Sequence, residues 1–457
     1  PATFEDGKTT KTVDGVGTYT VAPDGTVTFT PEPSFVGKAP AVTVVREDMN
    51  GTKASATYTP TVTPVTPAAT PAESVAPQGI VQTGTVTFTE GDPVAPINKE
   101  TITLLDENGQ PAASVEAKSP EGKVIGTYTV DKETGVVTFT PTDKSYSGDV
   151  VPVKVQAKDA NGTTVETTYT PKITPVAPTA DPAESIGKQG QEQTGKPTFT
   201  PGNPAVPMND DTPATFEDGK TTKTVDGVGT YTVAPDGTVT FTPEPSFVGK
   251  APAVTVVRED MNGTKASATY TPTVTPVTPA ATPAESVAPQ GIVQTGTVTF
   301  TEGDPVAPIN KETITLLDEN GQPAASVEAK SPEGKVIGTY TVDKETGVVT
   351  FTPTDKSYSG DVVAAKVQAK DANGTTVETT YTPKITPVTP TAEDVTSKDI
   401  QGKTQTGTPT FTEGNPLVPI DEDTPATFED GSTTKTIPGE GTYTVAPDGT
   451  VTFVPEK

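Results

Sequence analysis

The sequence predicts an all-β protein built as a linear array of tandem domains. Three observations lead to this prediction: apolar residues alternate with threonine, long stretches recur at fixed periods, and residues typical of helical cores are scarce. Leucine accounts for only 5 of 457 residues, while valine and isoleucine make up 69 of the 88 Val, Ile, Leu and Phe residues. β-Branched residues suit pleated strands, and no stretch shows the 3.6-residue apolar period of an amphipathic helix.

The first β-hairpin is predicted near the start of the chain. Residues 18–21 and 26–30 alternate polar and apolar side chains, so that Tyr19 and Phe29 fall on apolar strand faces. The four residues between these strands end in a glycine, which can adopt positive φ in a tight turn. At 131–135 the corresponding turn is one residue longer, which is typical of a bulge-type turn.

A second hairpin is predicted around an Asn-Gly turn. Residues 42–45 and 54–62 are the strands, and Asp48-Met49-Asn50-Gly51 is the turn. A longer version of the same hairpin has its strands at 153–157 and 165–173 and its turn at 159–162.

The chain repeats itself at two periods. Residues 1–151 recur without a change at 213–363, a period of 212 residues, and a third copy begins at Pro425. Inside this period lies a shorter one, marked by the string Gln-Thr-Gly-x-x-Thr-Phe-Thr. It starts at four glutamines separated by 111, 101 and 111 residues: Gln82, Gln193, Gln294 and Gln405. Fixed periods of about 100 residues predict an array of similar domains.

Domain boundaries are predicted in Pro-rich stretches, which we expect to form stiff spacers at 64–77, 175–182, 276–289 and 387–390. Each complete unit is predicted to be an Ig-like or cadherin-like β-sandwich of about 100–111 residues. The predicted domains are a truncated repeat without its N-terminal part (1–65), a long repeat (66–176), a short repeat (177–277), a long repeat (278–388) and a truncated repeat without its C-terminal part (389–457). Because both ends fall inside a unit, we expect the chain to be a segment of a longer protein.

The composition excludes several classes of function. The 32 basic residues against 59 acidic ones give a net charge of −27, which argues against nucleic acid and anionic membrane as partners. The chain has no cysteine and no histidine, so thiol and histidine catalysis, disulfides and zinc sites are excluded. With only 31% hydrophobic residues, we expect thin cores of marginal stability, and the charge together with the Pro-rich spacers predicts an extended rod.

The combined motifs resemble the CshA-type fibril repeat family of Gram-positive, streptococcal surface adhesins. The strings that carry the resemblance are Gly126–Val130, Val137–Pro141, Tyr146–Gly148, Asp159–Thr163, Thr168–Pro171 and Ile173–Val176. The shorter unit carries matching strings but has Glu47-Asp48-Met49-Asn50-Gly51 in place of the Asp-Ala-Asn-Gly form.

The resemblance implies an extracellular fibril anchored in the bacterial cell wall, with this segment as a non-enzymatic stalk that projects an adhesive region away from the cell. The partners it implies are the neighbouring repeats of the same chain and, through the parent protein, host matrix or another microbial surface. No nucleic acid and no membrane contact is expected for this segment. Two alternatives remain open: repeats that themselves bind host or microbial ligands, and a spacer stiffened by calcium.

Acidic turns are the first candidates for a chemical site. Glu47, Asp48 and Asn50, or Asp159 and Asn161, offer oxygen ligands for calcium. Calcium takes six to eight oxygens, so Asp92 or Asp210-Asp211 would have to converge on the turns. The simpler interpretation is that Asp-x-Asn-Gly is a favourable tight turn.

The sequence offers little for two other chemistries, a crosslink and a glycosidase site. A Lys–Asn isopeptide crosslink needs a buried Lys, Asn and acid, whereas Asn50, Asn108 and Asn161 are expected to face solvent in their turns, and Lys154 lies at a polar strand position. A glycosidase needs paired carboxylates such as Glu90 and Asp92 beside a pocket with aromatic platforms, and the chain has no tryptophan. No catalytic, cofactor-binding or metal-binding residue is therefore predicted, and no cofactor.

Overall fold

The computed structural model describes residues 1–456, which form strands and turns without a helix. The strands fall into five consecutive sets, here called units 1 to 5, and within the described residues no strand pairs with a strand of another set. The predicted all-β tandem array is therefore confirmed.

The strands of units 1 and 2 are as follows. Unit 1 contains β1 Thr3–Phe4, β2 Thr10–Val13, β3 Gly17–Val21, β4 Val27–Pro31, β5 Gly37–Lys38, β6 Val42–Glu47, β7 Lys53–Tyr58 and β8 Thr61–Val62. Unit 2 contains β9 Ala68–Thr70, β10 Ala72–Pro77, β11 Gln82–Thr85, β12 Thr87–Thr89, β13 Ile97–Leu105, β14 Pro111–Ala112, β15 Ser114–Lys118, β16 Val124–Val130, β17 Val136–Pro141, β18 Gly148–Asp149, β19 Val153–Asp159 and β20 Thr164–Thr174.

Units 3 to 5 follow the same plan. Unit 3 contains β21 Thr179–Asp181, β22 Ala183–Lys188, β23 Gln193–Gly195, β24 Thr198–Thr200, β25 Thr215–Phe216, β26 Thr222–Val225, β27 Gly229–Val233, β28 Val239–Pro243, β29 Gly249–Lys250, β30 Val254–Glu259 and β31 Lys265–Thr275. Unit 4 contains β32 Ala280–Thr282, β33 Ala284–Pro289, β34 Gln294–Thr297, β35 Thr299–Thr301, β36 Ile309–Leu317, β37 Pro323–Ala324, β38 Ser326–Lys330, β39 Val336–Val342, β40 Val348–Pro353, β41 Gly360–Asp361, β42 Ala365–Asp371 and β43 Thr376–Thr386. Unit 5 contains β44 Thr391–Glu393, β45 Gln405–Gly407, β46 Thr410–Thr412, β47 Thr434–Ile437, β48 Gly441–Val445 and β49 Val451–Pro455.

Unit 2 shows the architecture of a complete unit, a two-sheet sandwich. One sheet has the order β10-β20-β19-β13-β14, with β18 added to β20, and the other has the order β11-β17-β16-β15. The inward faces bury a core around four fully covered side chains: Leu104, Tyr128, Phe139 and Tyr169. The aromatic rings predicted to face the core therefore do so in this unit.

Both predicted hairpins are present. In the first, β3 pairs with β4, and Tyr19 lies opposite Phe29 with 4.8 Å between the ring centroids. In the long form β16 pairs with β17 across the turn at 131–135, and Gly135 has φ +76°, as the bulge-type turn requires. The second hairpin joins β19 to β20 in unit 2 and β6 to β7 in unit 1.

The Pro-rich stretches are shorter spacers than predicted, because strands occupy their C-terminal parts. β9 and β10 lie within 64–77, β21 lies within 175–182, and β32 and β33 lie within 276–289. β10 runs parallel to β20, from Ala72 opposite Tyr169 to Pro77 opposite Thr174. Pro77 is tolerated because it ends an edge strand. This parallel pairing brings the end of β10 beside the end of its unit, next to the following unit.

A buried polar network fastens β10 and β11 to the sandwich. The Ser74 hydroxyl donates to Gln82 Oε1 at 2.7 Å and lies 2.6 Å from the Tyr169 hydroxyl, while Gln82 Nε2 donates to the Lys172 carbonyl at 3.0 Å. The same serine, tyrosine and glutamine meet in the other complete units: Ser185, Tyr270 and Gln193 in unit 3, and Ser286, Tyr381 and Gln294 in unit 4.

Candidate functional site at the unit junctions

A glutamine directly after β10 holds the start of the linker. The Gln78 side chain accepts the Val176 N–H at 2.6 Å through Oε1 and donates to the Ser145 carbonyl at 2.8 Å through Nε2. Gln78 is only 7% exposed, and a buried amide left without partners would be costly. The contact therefore fixes Val176, near the start of the linker, to the body of unit 2.

The same clamp recurs in the next two units. Gln189 accepts the Val277 N–H at 3.1 Å and donates to the Pro245 carbonyl at 3.0 Å. Gln290 accepts the Val388 N–H at 2.7 Å and donates to the Ser357 carbonyl at 2.7 Å. We call Gln78, Gln189 and Gln290 the clamp glutamines.

A second contact joins each clamp glutamine to the following unit. Asn262 of unit 3 donates from Nδ2 to the Gln78 carbonyl at 2.8 Å, and Asn373 of unit 4 donates to the Gln189 carbonyl at 3.0 Å. We call Asn262 and Asn373 the latch asparagines. The residue after each of these two clamp glutamines is a glycine of positive φ, and a β-carbon there would collide with the asparagine Oδ1. Only glycine lets the two turns approach this closely.

A buried aspartate fixes the turn that carries each latch asparagine. Asp260 is fully buried, and its Oδ1 accepts the N–H groups of Asn262 at 3.0 Å and Thr264 at 2.9 Å. The Met261 N–H donates to the Pro207 carbonyl at 2.9 Å, which docks the turn on its own unit. The Asp-x-Asn-Gly sequence is thus a tight turn, as the simpler interpretation predicted, and it also presents a side chain to the neighbouring unit.

An ion pair distinguishes one junction from another. Lys188 of unit 3 pairs with Asp304 of unit 4, and their hydrogen bonding to one another lowers the pKa of the Asp304 carboxyl. The equivalent positions between units 2 and 3 are Pro77 and Asn203, which cannot form an ion pair.

A turn within the long units supports the clamp. The hydrogen bonds from Lys123 and then Ser145 lower the pKa of the Asp143 carboxyl to about 2. Lys123 Nζ lies 2.7 Å from Asp143 Oδ2, and the Ser145 N–H donates to Asp143 Oδ1 at 3.0 Å. Ser145 supplies the carbonyl that accepts from Gln78, and the ionised Asp143 carboxylate holds Ser145 in position. The carboxylate therefore supports the clamp contact indirectly. Asp355, with Lys335 and Ser357, repeats the arrangement in unit 4.

The proposed calcium ligands do not converge. Among the described residues no group of three or more acidic side chains could hold a metal ion together. Asp48 and Asn50 are exposed in unit 1, Asp92 caps its own turn by accepting the Val94 N–H, and Asp210 pairs with Arg258. Within residues 1–456, the second carboxylate oxygen of Asp159, Asp260 and Asp371 is buried without a hydrogen-bond partner. One such oxygen per turn does not amount to the six to eight that calcium needs.

The expectation that the Asn-Gly asparagines face solvent holds only in part. Asn50 and Asn108 are exposed, but Asn161 is half-buried. The latch asparagines, which occupy the equivalent turn in units 3 and 4, bond to the preceding unit, and Asn373 is only 7% exposed. Lys154 is exposed on β19.

Sequence reasoning missed the clamp glutamines altogether. A signal for them existed, because the dipeptide Gln-Gly recurs with the spacing of the units, at Gln78, Gln189, Gln290 and Gln401. A glycine after a glutamine outside any predicted hairpin indicates a backbone position that needs positive φ or close approach.

A surface groove in unit 1 corresponds to a place that a partly buried aromatic side chain occupies in unit 3. The groove is lined by Asp24, Val27, Arg46, Ala54 and Tyr58, among others. In unit 3 the ring of Phe199 occupies the equivalent place, with the guanidinium carbon of Arg258 5.9 Å from the ring centroid. The groove therefore corresponds to the place that Phe199 of β24 fills in unit 3.

None of the described residues belong to a helix long and apolar enough to cross a membrane.

Comparison with solved structures returns tandem extracellular domains. The mouse cadherin-23 EC22–24 structure is 14% identical, with a TM-score of 0.30, over 71% of this chain and 100% of that one. A tetra-tandem repeat in the extending region of a large adhesion protein is 19% identical, with a TM-score of 0.25, over 81% of this chain and 87% of that one. Protocadherin gamma B2 domains 1–5 are 9% identical, with a TM-score of 0.31, over 97% of this chain and 85% of that one. At TM-scores below 0.5 these similarities carry no argument.

None of the curated proteins is similar enough in sequence to count as a match. The family described as the surface adhesin CshA repetitive domain does match, over residues 1–62, 64–173, 175–274, 276–385 and 387–457. These five stretches correspond to units 1 to 5 and cover nearly the whole chain. A repeat of a surface adhesin belongs to an extracellular surface protein. The chain is therefore a member of the CshA surface adhesin repeat family, with five tandem repeats.

Proposed function

We propose that this chain is a non-catalytic stalk segment of a cell-wall-anchored adhesin, and that it projects an adhesive region away from the cell. The observation that carries the proposal is the recurrence of the same junction contacts. Units 2, 3 and 4 each clamp their own linker, and two of the junctions also carry a latch asparagine bonded to the preceding unit. A spacer needs such contacts, because free hinges between units would let it collapse.

Charge supports the same role. With a net charge of −27, successive units and neighbouring stalks repel one another over about 10 Å at moderate ionic strength. Repulsion along the chain favours extension, and repulsion between copies opposes lateral association of nearly identical units.

We propose the domain boundaries at 65/66, 176/177, 277/278 and 388/389. The clamp supports the last three, because each clamp glutamine accepts the N–H of the residue that ends a unit: Val176, Val277 and Val388. The boundary at 65/66 is placed by its equivalence to these positions in the repeat. The proposed partners are the adjacent repeats and, through other parts of the parent protein, host matrix or another microbial surface.

Small-angle scattering tests the stalk. A compact chain of this length has a radius of gyration of about 23 Å and a random chain about 79 Å, whereas a rod on the order of 170 Å long gives about 50 Å. We expect the intermediate value, unchanged by EDTA. The variant Asn262→Ala/Asn373→Ala should become more flexible, while Asn108→Ala/Asn320→Ala, at exposed turns whose hydrogen bonds stay within their own units, should not. A radius near either extreme in the unaltered protein would refute the stalk.

A further inference from the structure

Each latch asparagine precedes a glycine, and Asn-Gly is the dipeptide most prone to deamidation because glycine leaves its backbone nitrogen unhindered. Asparagine is among the thermolabile residues for this reason. We propose that Asn262 and Asn373 are deamidation sites that the closed junction protects, and that their reaction opens the junction irreversibly. This inference rests on the latch contact used in the proposed function.

The reaction needs only water. The Gly263 nitrogen attacks Cγ of Asn262, so that an N–Cγ bond forms and the Cγ–Nδ2 bond breaks. Nδ2 leaves as ammonia, taking up the proton that the Gly263 nitrogen loses. Water then opens the cyclic imide at one of its two carbonyls, which leaves aspartate or isoaspartate at position 262.

The hydrogen bonds within the turn hinder this attack, and they are the same at the latch asparagines and at an exposed Asn-Gly turn. The attacking N–H is hydrogen-bonded to the carbonyl of the turn aspartate at 2.9 Å in three turns: Gly263 to Asp260, Gly374 to Asp371, and Gly109 to Asp106. In all three turns the aspartate Oδ1 also accepts the asparagine N–H, at 2.9–3.0 Å. The turn at Asn108 is thus a matched reference with the same backbone hydrogen bonds, and Asn320 repeats it in unit 4.

The latch and reference asparagines differ in the exposure and hydrogen bonding of the side-chain carboxamide that the glycine nitrogen must attack. At Asn108 and Asn320 it is exposed, whereas Asn373 is 7% exposed and donates to the Gln189 carbonyl at 3.0 Å. Its Oδ1 also packs against Gly190. The latch asparagines must therefore break a junction contact before Cγ can swing toward the glycine nitrogen. Each closed junction adds this step to the reaction.

The product cannot re-form the contact. The side chain of an aspartate at 262 has no N–H to donate, and its carboxylate would face the Gln78 carbonyl oxygen at the distance where Asn262 Nδ2 now donates, 2.8 Å. Two acceptors at that distance repel each other, and the buried carbonyl loses its partner. A junction that has been held open, for instance by load on the stalk, would thereby be kept open chemically.

The rates are measurable by peptide mass spectrometry once the repeats are made distinguishable. The tryptic peptides at 47–53 and 259–265 are identical, as are those at 159–172 and 371–384. The variant Asn50→Gln/Asn161→Gln leaves Asn262 and Asn373 as the sole sources of their Asn-Gly peptides. The peptides at 100–118 and 312–330, which contain Asn108 and Asn320, serve as the reference.

In folded protein held at mildly alkaline pH, we expect the latch peptides to deamidate roughly two- to tenfold more slowly than the reference peptides, the range that one net hydrogen bond gives. In urea the rates should converge, since the protection is structural. Equal rates in the folded protein, or a difference that persists in urea, would overturn the proposal.

The consequence is tested on the cysteine-free chain with spin labels at Lys154→Cys and Lys223→Cys, exposed positions on either side of the junction between units 2 and 3. Asn262→Asp should broaden the distance distribution, and Asn108→Asp, with the same charge change, should not. If Asn262→Ala broadens the distribution but the deamidation rates are equal, only this inference fails. If neither Asn262→Ala nor Asn262→Asp broadens it, the latch and the proposed stalk contact fail as well.

Discussion

Residues 1–62 of unit 1 and 213–274 of unit 3 have the same sequence but differ in burial. Tyr58 is 37% exposed, whereas its counterpart Tyr270 is fully buried. The strand that carries the tyrosine is split into β7 and β8 in unit 1 and is continuous as β31 in unit 3. Identical residues therefore do not form identical structure at these two places.

The difference comes from strands that lie before residue 213. In unit 3, β22 pairs in parallel with β31 and β23 pairs with β28, and the described part of the chain holds no counterpart of these two strands in unit 1. β22 supplies the Ser185 hydroxyl that lies 2.5 Å from the Tyr270 hydroxyl. The comparison teaches that the second hairpin is present with or without these two strands, whereas the burial of its tyrosine depends on a segment far away in sequence.

The largest expected effect is the loss of stability when the tyrosine is replaced in each of the two units. Tyr270→Ala should destabilise unit 3 by about 3–5 kcal/mol, because a fully buried ring leaves a cavity. Tyr58→Ala should cost unit 1 at most about 2 kcal/mol, since the ring is already partly in water. Hydrogen exchange read by mass spectrometry distinguishes the two copies, because each substitution changes the mass of its own peptide alone. Equal losses of protection in the two variants would contradict the comparison.

A smaller effect is expected from a glycine on the closing strand. A β-carbon at Gly195 would overlap the ring of Tyr270, so Gly195→Ala should destabilise unit 3 by about 1–3 kcal/mol through overpacking. Gly407 is the matched control in unit 5, where the nearest side-chain atom to an added β-carbon would be Val395 Cγ1 at 3.3 Å. Thermal unfolding of the two variants should separate them, and a Gly407→Ala variant as unstable as Gly195→Ala would argue that the tyrosine contact is not the cause.

The stability of unit 3 should fall at alkaline pH, because its core buries the hydroxyl-bearing ring of Tyr231. Burial, and then the neighbouring Tyr270, raise the pKa of Tyr231 to about 12, against about 10 for an unfolded tyrosine. Between these values the unfolded chain loses a proton that the folded chain keeps, so this contribution to stability is complete below pH 10 and is lost as the pH rises toward 12. Tyr231→Phe should flatten the fall of stability of unit 3 in urea titrations at increasing pH, and an unchanged profile would count against the assignment.

Acid should act on the clamp of the long units. The lowered pKa of Asp143, about 2, means that its contribution to stability is present above about pH 3.8 and is lost as the pH falls toward 2. Amide exchange at Val176 should therefore accelerate in that window. Val277 is the control, because the Gln189 clamp rests on the Pro245 carbonyl, which follows Glu244 in place of an aspartate. Parallel acceleration at both valines would show that acid loosens the clamps by some other route.

The hairpins were predictable because their signals are local. Alternation and a glycine-ended turn identify β3 and β4 within a dozen residues. β10 was missed for a physical reason: its partner β20 begins about ninety residues later, parallel pairing leaves no turn motif, and proline within the stretch argued against a strand.

The junction contacts were missed because they use uncharged polar side chains that form no recognisable motif. A glutamine and an asparagine acquire their roles only when two units meet, and no pattern within one unit shows that meeting. The Asn-Gly turn was found, but its contact with the preceding unit depends on Gln78, which follows the parallel strand β10 directly. The error about β10 therefore led to the error about the site.

The smallest expected effect is a difference in flexibility between two junctions, of which only one has an ion pair. The Lys188–Asp304 pair should narrow the distance distribution across the junction between units 3 and 4, measured with labels at Lys223→Cys and Lys366→Cys. Lys188 is 54% exposed, so salt should screen the pair, and at about 1 M salt, where the Debye length is about 3 Å, the difference between the unaltered chain and Lys188→Ala should vanish. Pro77→Lys/Asn203→Asp should give the junction between units 2 and 3 the same salt dependence. If it stays insensitive to salt, the alternation of Lys-Asp with Pro-Asn along the chain does not set the stiffness of the joints.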